Sequence, residues 1–149
     1  MALLNILSTF VDFKNTKESK KLDIDDSELI LKFTKVKRTS GKGFDIRISL
    51  NKDLVEDMKK NGILHFKFMY DEKSYNVAIV YCTLKDAYNF EGRKARPSGN
   101  IELLDKYVTA TLLKLFEEKN AMSIKYKGRF IKDQSAYLFT MGKINKRSD

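Results

Sequence analysis

A period of two in the hydropathy of several segments is the feature that most limits how this chain can fold. The clearest case is GFDIRISL, in which Phe44, Ile46, Ile48 and Leu50 alternate with polar residues. Residues 64–70 and 75–81 alternate in the same way. Alternation of this kind places apolar side chains on one face of a strand and polar side chains on the other. The pattern therefore predicts half-buried strands of an antiparallel sheet.

Turn and capping residues between these segments predict three hairpins and two helices. The first hairpin joins ELILKFTKVK to GFDIRISL through the turn TSGKG, and the second joins residues 64–70 to 75–81 through DEKS. The third hairpin consists of AMSIKYKG and SAYLFTMG. Asn51 is expected to cap a short helix that ends at Asn61 and Gly62. Asn100 is expected to cap a longer helix over residues 100–119. This set of elements predicts an α+β fold.

The two halves of the chain resemble each other weakly. A shift of 58 residues places Leu54 on Leu112 and Met58 on Phe116, so each half contains a helix followed by a hairpin. We interpret this as a pseudo-duplication of strand-helix-hairpin units. The length of 149 residues fits one domain over 1–149, with a basic tail at 143–149 that we expect to fray. Segments 14–28 and 89–100 are interpreted as surface loops.

The composition predicts a folded protein of a reducing compartment. With 42% hydrophobic and 33% charged residues, the chain can bury a core without disulfides or metal. Cys82 is the single cysteine, so no intramolecular disulfide can form and the cytoplasm is the expected location. No apolar stretch approaches the about 20 residues that span a bilayer, and the N-terminus lacks the pattern of a signal peptide. We therefore predict no membrane partner.

Positive charge is concentrated in two strand-like segments. Residues 29–47 contain six cations and one acid, Asp45, while residues 119–132 contain five cations and no acid. Together the two segments carry +10, against +9 for the whole chain. A solvated sheet face normally mixes charges of both signs. This excess favours a sheet surface that binds a polyanion.

Other chemistries find little support in the residues. His65 and Cys82 lack the partners that a catalytic dyad or a zinc site needs. The acidic cluster of Asp23, Asp25, Asp26 and Glu28 lies in a polar loop, which is typical of a solvated surface. No phosphate-loop or dinucleotide glycine spacing occurs. The sequence therefore predicts a protein that is not an enzyme and has no metal or cofactor.

The segment GKGFDIRISLNKDLVEDMKK resembles a known family. A basic turn at 41–43, an Ile-Ser-Leu-Asn strand end at 48–51 and an amphipathic helix at 54–60 are similar to the end of the single-stranded-DNA-binding domain of positive cofactor four. The resemblance covers about twenty residues. It implies a curved antiparallel sheet that lays single strands across basic and aromatic surfaces. The related Whirly proteins carry two such units, which is similar to the weak repeat described above.

These observations lead to one functional hypothesis and one alternative. We predict non-enzymatic binding of single-stranded DNA or RNA, with little sequence preference, through phosphate contacts and base stacking. The alternative is a small mobile-element protein that uses the same face to bind and modulate an acidic host protein. An apolar stripe on the second helix would let a homo-oligomer enlarge the positive surface. The predicted binding residues are Lys35, Lys37, Arg38, Lys42, Phe44, Arg47, Arg93, Lys94, Arg96, Lys125, Tyr126, Lys127 and Arg129.

Overall fold

A computed structural model of the protein describes residues 11–12, 29–84, 87–89 and 99–146. Within these residues, nine strands and two α-helices follow one another in the chain, with a short 3-10 helix near the end. Their bounds are β1 Val11–Asp12, β2 Ile30–Lys37, β3 Phe44–Leu50, α1 Lys52–Lys60, β4 His65–Tyr70, β5 Val77–Tyr81, β6 Tyr88–Asn89, β7 Ile101–Leu104, α2 Lys106–Lys119, β8 Ala121–Ile131, the 3-10 helix Lys132–Gln134 and β9 Ala136–Lys146.

The described strands form a single antiparallel sheet. Its order is β1-β4-β5-β9-β8-β2-β3-β7, and β6 also pairs with β4. The three predicted hairpins, β2–β3, β4–β5 and β8–β9, are all present. The predicted α+β class, an antiparallel sheet of hairpins with two main helices, is therefore confirmed. Strands far apart in the chain, such as β2 and β8, become neighbours in this sheet.

Each helix packs on the same face of the sheet, which we call the inner face. The core there joins inward side chains of the strands to Leu54 and Met58 of α1 and to Leu112 and Phe116 of α2. The strand residues in this core include Leu31, Phe33, Ile46, Ile48, Ile124, Tyr126 and Phe139. The opposite side of the sheet is called the outer face. It carries a smaller apolar cluster of Ala78, Ile131 and Leu138 at the β5, β8 and β9 strands.

The first helix begins and ends as the sequence predicts. The side chain of Asn51 accepts hydrogen bonds from the N–H of Leu54 at 2.9 Å and from the N–H of Ile30 at 3.2 Å. Gly62 follows the helix with a φ of 73°, a conformation that glycine adopts without strain. Asn51 therefore joins the start of α1 to the start of β2.

The second helix starts later than predicted. Residues 101–104 form β7, in which Leu103 pairs with Ile48, and the helix begins at Lys106. The carboxylate of Asp105 caps it by accepting hydrogen bonds from the N–H groups of Tyr107 and Val108. Asn100 instead accepts a hydrogen bond from the N–H of Lys52 at 3.0 Å. The prediction of one helix from Asn100 is wrong because Ile101 and Leu103 bury their side chains by pairing with β3.

The C-terminal prediction also needs a correction. Residues 143–146 do not form a frayed tail, because they belong to β9, where Ile144 pairs with Ile124 and Lys146 with Ala121. The β8–β9 pair includes two irregularities in register, which let these long strands bend together. Residues 147–149, segment 14–28 and residues 90–98 of the second predicted loop lie outside the described residues.

Candidate nucleic-acid interface

The pairing of β2 with β8 brings the two basic segments of the sequence together. Lys32 lies directly opposite Lys125, and Ile30 lies opposite Lys127. Directly opposite residues in an antiparallel pair have Cβ atoms about 5 Å apart and lie on the same face. Phe33 and Ile124, which pair one residue further along, are buried on the inner face. Lys32, Lys125 and Lys127 therefore lie on the outer face.

Four cations form a group on this outer face, which we call the cationic ladder: Lys125, Lys127 and Arg129 in a row along β8, and Lys32 beside Lys125 on β2. Lys125 and Lys127 are exposed, and Lys32 and Arg129 are half-buried. Alternate residues of a strand lie about 6.8 Å apart, so the three β8 members are evenly spaced. None of the four forms a salt bridge within the described part of the chain, where Arg38–Asp45 and Arg47–Glu102 are the ion pairs.

The ladder concentrates like charge without an internal counter-charge. Like charges directly opposite each other destabilise a sheet, and Lys32 with Lys125 is such a pair. The Nε atom of Arg129 is buried and has no hydrogen-bond partner among the described residues. An unpaired buried donor also costs free energy. A bound polyanion would relieve the repulsion between the ladder cations.

Arg47 lies on the outer face near the ladder, but it has a partner. It is opposite Thr34 of β2 and Leu104 of β7. Its guanidinium is 3.8 Å from the Glu102 carboxylate, with both side chains partly exposed. A partly exposed ion pair of this length is weak. The Arg47–Glu102 pair therefore contributes little to the stability of the sheet.

Five of the predicted residues lie away from the ladder, at the end of the β2–β3 hairpin. Lys37 pairs with Phe44 and Lys35 pairs with Ile46, which places Lys35 and Lys37 on the inner-face side. The Lys35 ammonium lies over the Phe44 ring, 4.3 Å from its centroid. Arg38 forms a salt bridge with Asp45 at 3.0 Å. Lys42 is exposed in the turn.

Tyr126 cannot act as predicted. Its side chain is 0% exposed, and its hydroxyl donates a hydrogen bond to the backbone oxygen of Tyr75 at 2.6 Å. Burial raises the pKa of this phenol above its ordinary value. The prediction that Tyr126 stacks on bases is wrong because its ring belongs to the inner core, where it meets Phe33 edge-on. The predicted residues Arg93, Lys94 and Arg96 lie outside the described residues.

Lys32 belongs to the ladder but not to the set of binding residues that the sequence predicts. The charge count includes it, but its position opposite Lys125 depends on a pairing between strands that are 93 residues apart. The hydropathy pattern contains one usable signal. Lys32 falls between the buried Leu31 and Phe33, so the period of two already assigns it to the solvent face.

The His and carboxylate side chains of the described residues lie outside the cationic ladder, and one carboxylate oxygen, Oδ2 of Asp71, is buried without a hydrogen-bond partner among them. No cluster of three or more His, Cys, Asp or Glu side chains there could hold a metal ion. His65 lies in β4 opposite Asn89. Asp71 is buried in the β4–β5 turn, where its carboxylate accepts hydrogen bonds from the N–H groups of Lys73 and Ser74. This carboxylate holds the turn that the sequence predicts.

No family model, curated protein or solved structure matches the chain. Neither α1 nor α2, the two α-helices of the described residues, has the length and apolar character of a membrane-spanning helix.

Proposed function

We propose that the protein binds single-stranded nucleic acid on the outer face of its sheet, along the cationic ladder. The observation that carries this proposal is the position of Lys32 directly opposite Lys125, with no carboxylate paired to either within the described residues. Such a pair is unfavourable in the free protein. A phosphate between the two ammonium groups would convert the repulsion into two charge-assisted contacts.

The shape of the ladder favours one phosphate backbone over two. Its β8 members form a single row with a spacing of about 6.8 Å, which is twice the 3.4 Å rise per nucleotide of a stacked strand. Lys125, Lys127 and Arg129 can then contact every second phosphate, and Lys32 adds a contact from the neighbouring strand. Phosphate contacts of this kind have little sequence preference.

The proposed mode of binding differs from the one that the sequence predicts. Tyr126 is buried, and Phe44 lies on the hairpin under Lys35, so neither of these predicted rings belongs to the ladder. We therefore propose that phosphate contacts contribute more to the binding free energy, and base stacking less, than the sequence predicts. Salt should weaken such a complex strongly. Four contacts predict a slope of about −3 in a plot of log affinity against log salt concentration.

The order of elements supports a duplicated architecture, which we propose as the finer description of the fold. Two strands, a helix and two strands occur twice, as β2-β3-α1-β4-β5 and as β6-β7-α2-β8-β9. Exchanging the two units maps the pair β4–β6 onto β8–β2 and the pair β4–β5 onto β8–β9, and it leaves β5–β9 and β3–β7 unchanged, whereas the β2–β3 pair has no β6–β7 counterpart among the described residues. Such pseudo-two-fold pairing is what the resemblance to Whirly proteins implies.

An anisotropy titration with oligo(dT) tests the proposal. A length of about 20 nucleotides exceeds the about 4 to 16 nucleotides that one OB fold covers in other single-strand-binding proteins. The variant is Lys125→Glu with Lys127→Glu. The control is Lys52→Glu with Lys114→Glu, which changes the net charge equally at exposed helix positions. We expect the ladder variant to bind about tenfold more weakly than the control and to have a smaller salt slope.

Two results would reject this function. If the ladder variant and the control bind equally, the ladder is not the binding surface. The other result is that the unmodified protein does not bind oligo(dT) at low salt but co-purifies with one acidic protein. The predicted alternative, a modulator of an acidic host protein, would then replace nucleic-acid binding.

A further inference from the structure

The β2–β3 hairpin extends beyond both of its neighbouring strands. The pairing of β8 with β2 ends at Thr34, and the pairing of β7 with β3 begins at Arg47. Among the described residues, 35–37 and 44–46 therefore pair only with each other. All residues from 37 to 44 are exposed. We call residues 35–46 the β2–β3 arm.

The arm has a strong charge and an ordered turn. It carries Lys35, Lys37, Arg38 and Lys42 against one acid, Asp45. The backbone N–H of Arg38 donates to the oxygen of Gly43 at 3.2 Å, and the N–H of Gly41 donates to the oxygen of Arg38 at 2.9 Å. The Arg38–Asp45 salt bridge joins the two strands at the base of the turn. These contacts give the turn a defined shape.

The root of the arm is anchored in the core. Ile46 is 0% exposed, and its N–H donates to the hydroxyl of Thr109 in α2 at 3.0 Å. This hydrogen bond continues the edge of β3 at the point where β7 has ended. The arm is therefore a two-stranded ribbon that is fixed at one end and exposed at the other.

A strand bound to the ladder does not account for these cations. Lys35 and Lys37 lie on the inner-face side of the ribbon, whereas Lys32, Lys125 and Lys127 lie on the outer face. A single backbone on the outer face meets only one of these two sets. A ligand that contacts both faces of the ribbon would therefore meet cations that the ladder strand cannot reach.

We infer that the β2–β3 arm enters the major groove of duplex DNA next to the single strand held by the ladder. The major groove is about 12 Å wide and about 8.5 Å deep and accepts a two-stranded ribbon. Each wall of the groove is a phosphate backbone, so cations on both faces of an inserted ribbon find partners. Thr39, Ser40 and Lys42 at the tip can reach base edges.

This inference deepens the proposed function and rests on it in one respect. Recognition of a single strand together with a duplex requires both the ladder contact and the groove contact. Lys32 and Lys35 are three residues apart in β2, about 10 Å along the strand. A strand that leaves the ladder at Lys32 would thus reach the arm within a few nucleotides. The preferred ligand would be a junction between single-stranded and duplex DNA.

The test compares three DNA ligands: oligo(dT), a blunt duplex of about 12 base pairs, which exceeds one helical turn, and the same duplex with a single-stranded tail. The arm variant is Lys37→Glu with Lys42→Glu, and the charge-matched control is again Lys52→Glu with Lys114→Glu. Relative to this control, we expect the arm variant to lose about tenfold in affinity for the duplex and the junction and less than about twofold for oligo(dT).

A chemical readout locates the arm in the groove. Dimethyl sulfate methylates guanine N7, which lies in the major groove. We expect the unmodified protein, but not the arm variant, to protect guanines within one turn of the junction. Equal losses on all three ligands, or no protection of N7, would overturn the inference.

The two proposals fail in different ways. Absence of binding to oligo(dT) by the unmodified protein rejects the single-strand function, whereas arm-dependent binding of the blunt duplex would still support the groove contact. If the unmodified protein binds oligo(dT) and the arm variant binds the duplex as tightly as the control does, only the groove contact is rejected.

Discussion

Lys32 and Lys125 lie directly opposite each other on the outer face of the sheet, although 93 residues separate them in the chain. Neither forms an ion pair or a hydrogen bond through its side chain among the described residues. A protein selected only for stability would replace one of them, because like charges in this position are unfavourable. The pair therefore links a cost in stability to the proposed binding of a polyanion.

Lys32→Glu should stabilise the protein and weaken its binding. The new carboxylate would face Lys125 and turn a repulsive pair into an attractive one, worth about 0.5 kcal/mol. Thermal unfolding should shift upwards by roughly 1 to 2 °C, while the affinity for oligo(dT) falls. The control is Lys114→Glu, on the exposed side of α2, which should change neither property comparably. A parallel loss of stability and binding would contradict this account.

Gly128→Ala should destabilise the sheet by about 1 to 3 kcal/mol. A Cβ atom at this position would lie 2.4 Å from ring atoms of Phe139 and 2.9 Å from the backbone oxygen of Leu138. The ring sits over the glycine because Gly128 and Phe139 are opposite each other on the inner face. Urea unfolding measures the loss. Phe139→Leu should reduce the additional cost of Gly128→Ala, and an equal cost in both backgrounds would exclude the ring contact as its cause.

Thr109→Val should cost about 1 to 3 kcal/mol, although the two side chains are similar in shape. The hydroxyl of Thr109 accepts the hydrogen bond from the buried N–H of Ile46, and valine would leave that N–H unpaired. Thr109→Ser keeps the acceptor and is the matched control. Hydrogen exchange of the Ile46 amide should accelerate in the valine variant more than in the serine variant.

Stability should fall as the pH rises above about 10, and Tyr126→Phe should weaken this dependence. Burial raises the pKa of Tyr126, so the folded protein keeps the phenolic proton at a pH where the unfolded chain releases it. The unfolded state then binds fewer protons, and the free energy of unfolding decreases by about 1.4 kcal/mol per pH unit for this group.

Urea unfolding at about pH 9, 10 and 11 checks this prediction. Near neutral pH, Tyr126→Phe should cost about 1 kcal/mol because the hydrogen bond to the Tyr75 oxygen is lost. The difference between the two proteins should shrink as the pH rises. Burial and the hydrogen bond to Asp57 also raise the pKa of Tyr137. Part of the loss of stability at alkaline pH should therefore remain in both the unmodified protein and the Tyr126→Phe variant. A constant difference would show that Tyr126 does not titrate in the unfolding reaction.

Local sequence determined which segments of this protein become strands and how the first helix begins. The period of two at Phe44–Leu50 and the capping side chain of Asn51 act within a few residues, so the α+β class and the three hairpins follow from them. The same local pattern misplaces the start of α2. The alternation of Ile101 and Leu103 is too short to distinguish a strand from a helix until β3 lies beside it.

Only the tertiary structure decided which cations of different strands lie side by side. The period of two already separates Lys35 from Lys32 within β2, but Lys32 meets Lys125 because β2 pairs with β8. The tertiary structure also decided that Tyr126 is core and not surface. Strand pairing depends on the whole packed sheet, and one step of register moves every side chain to the opposite face. The charge count of the sequence could not contain that information.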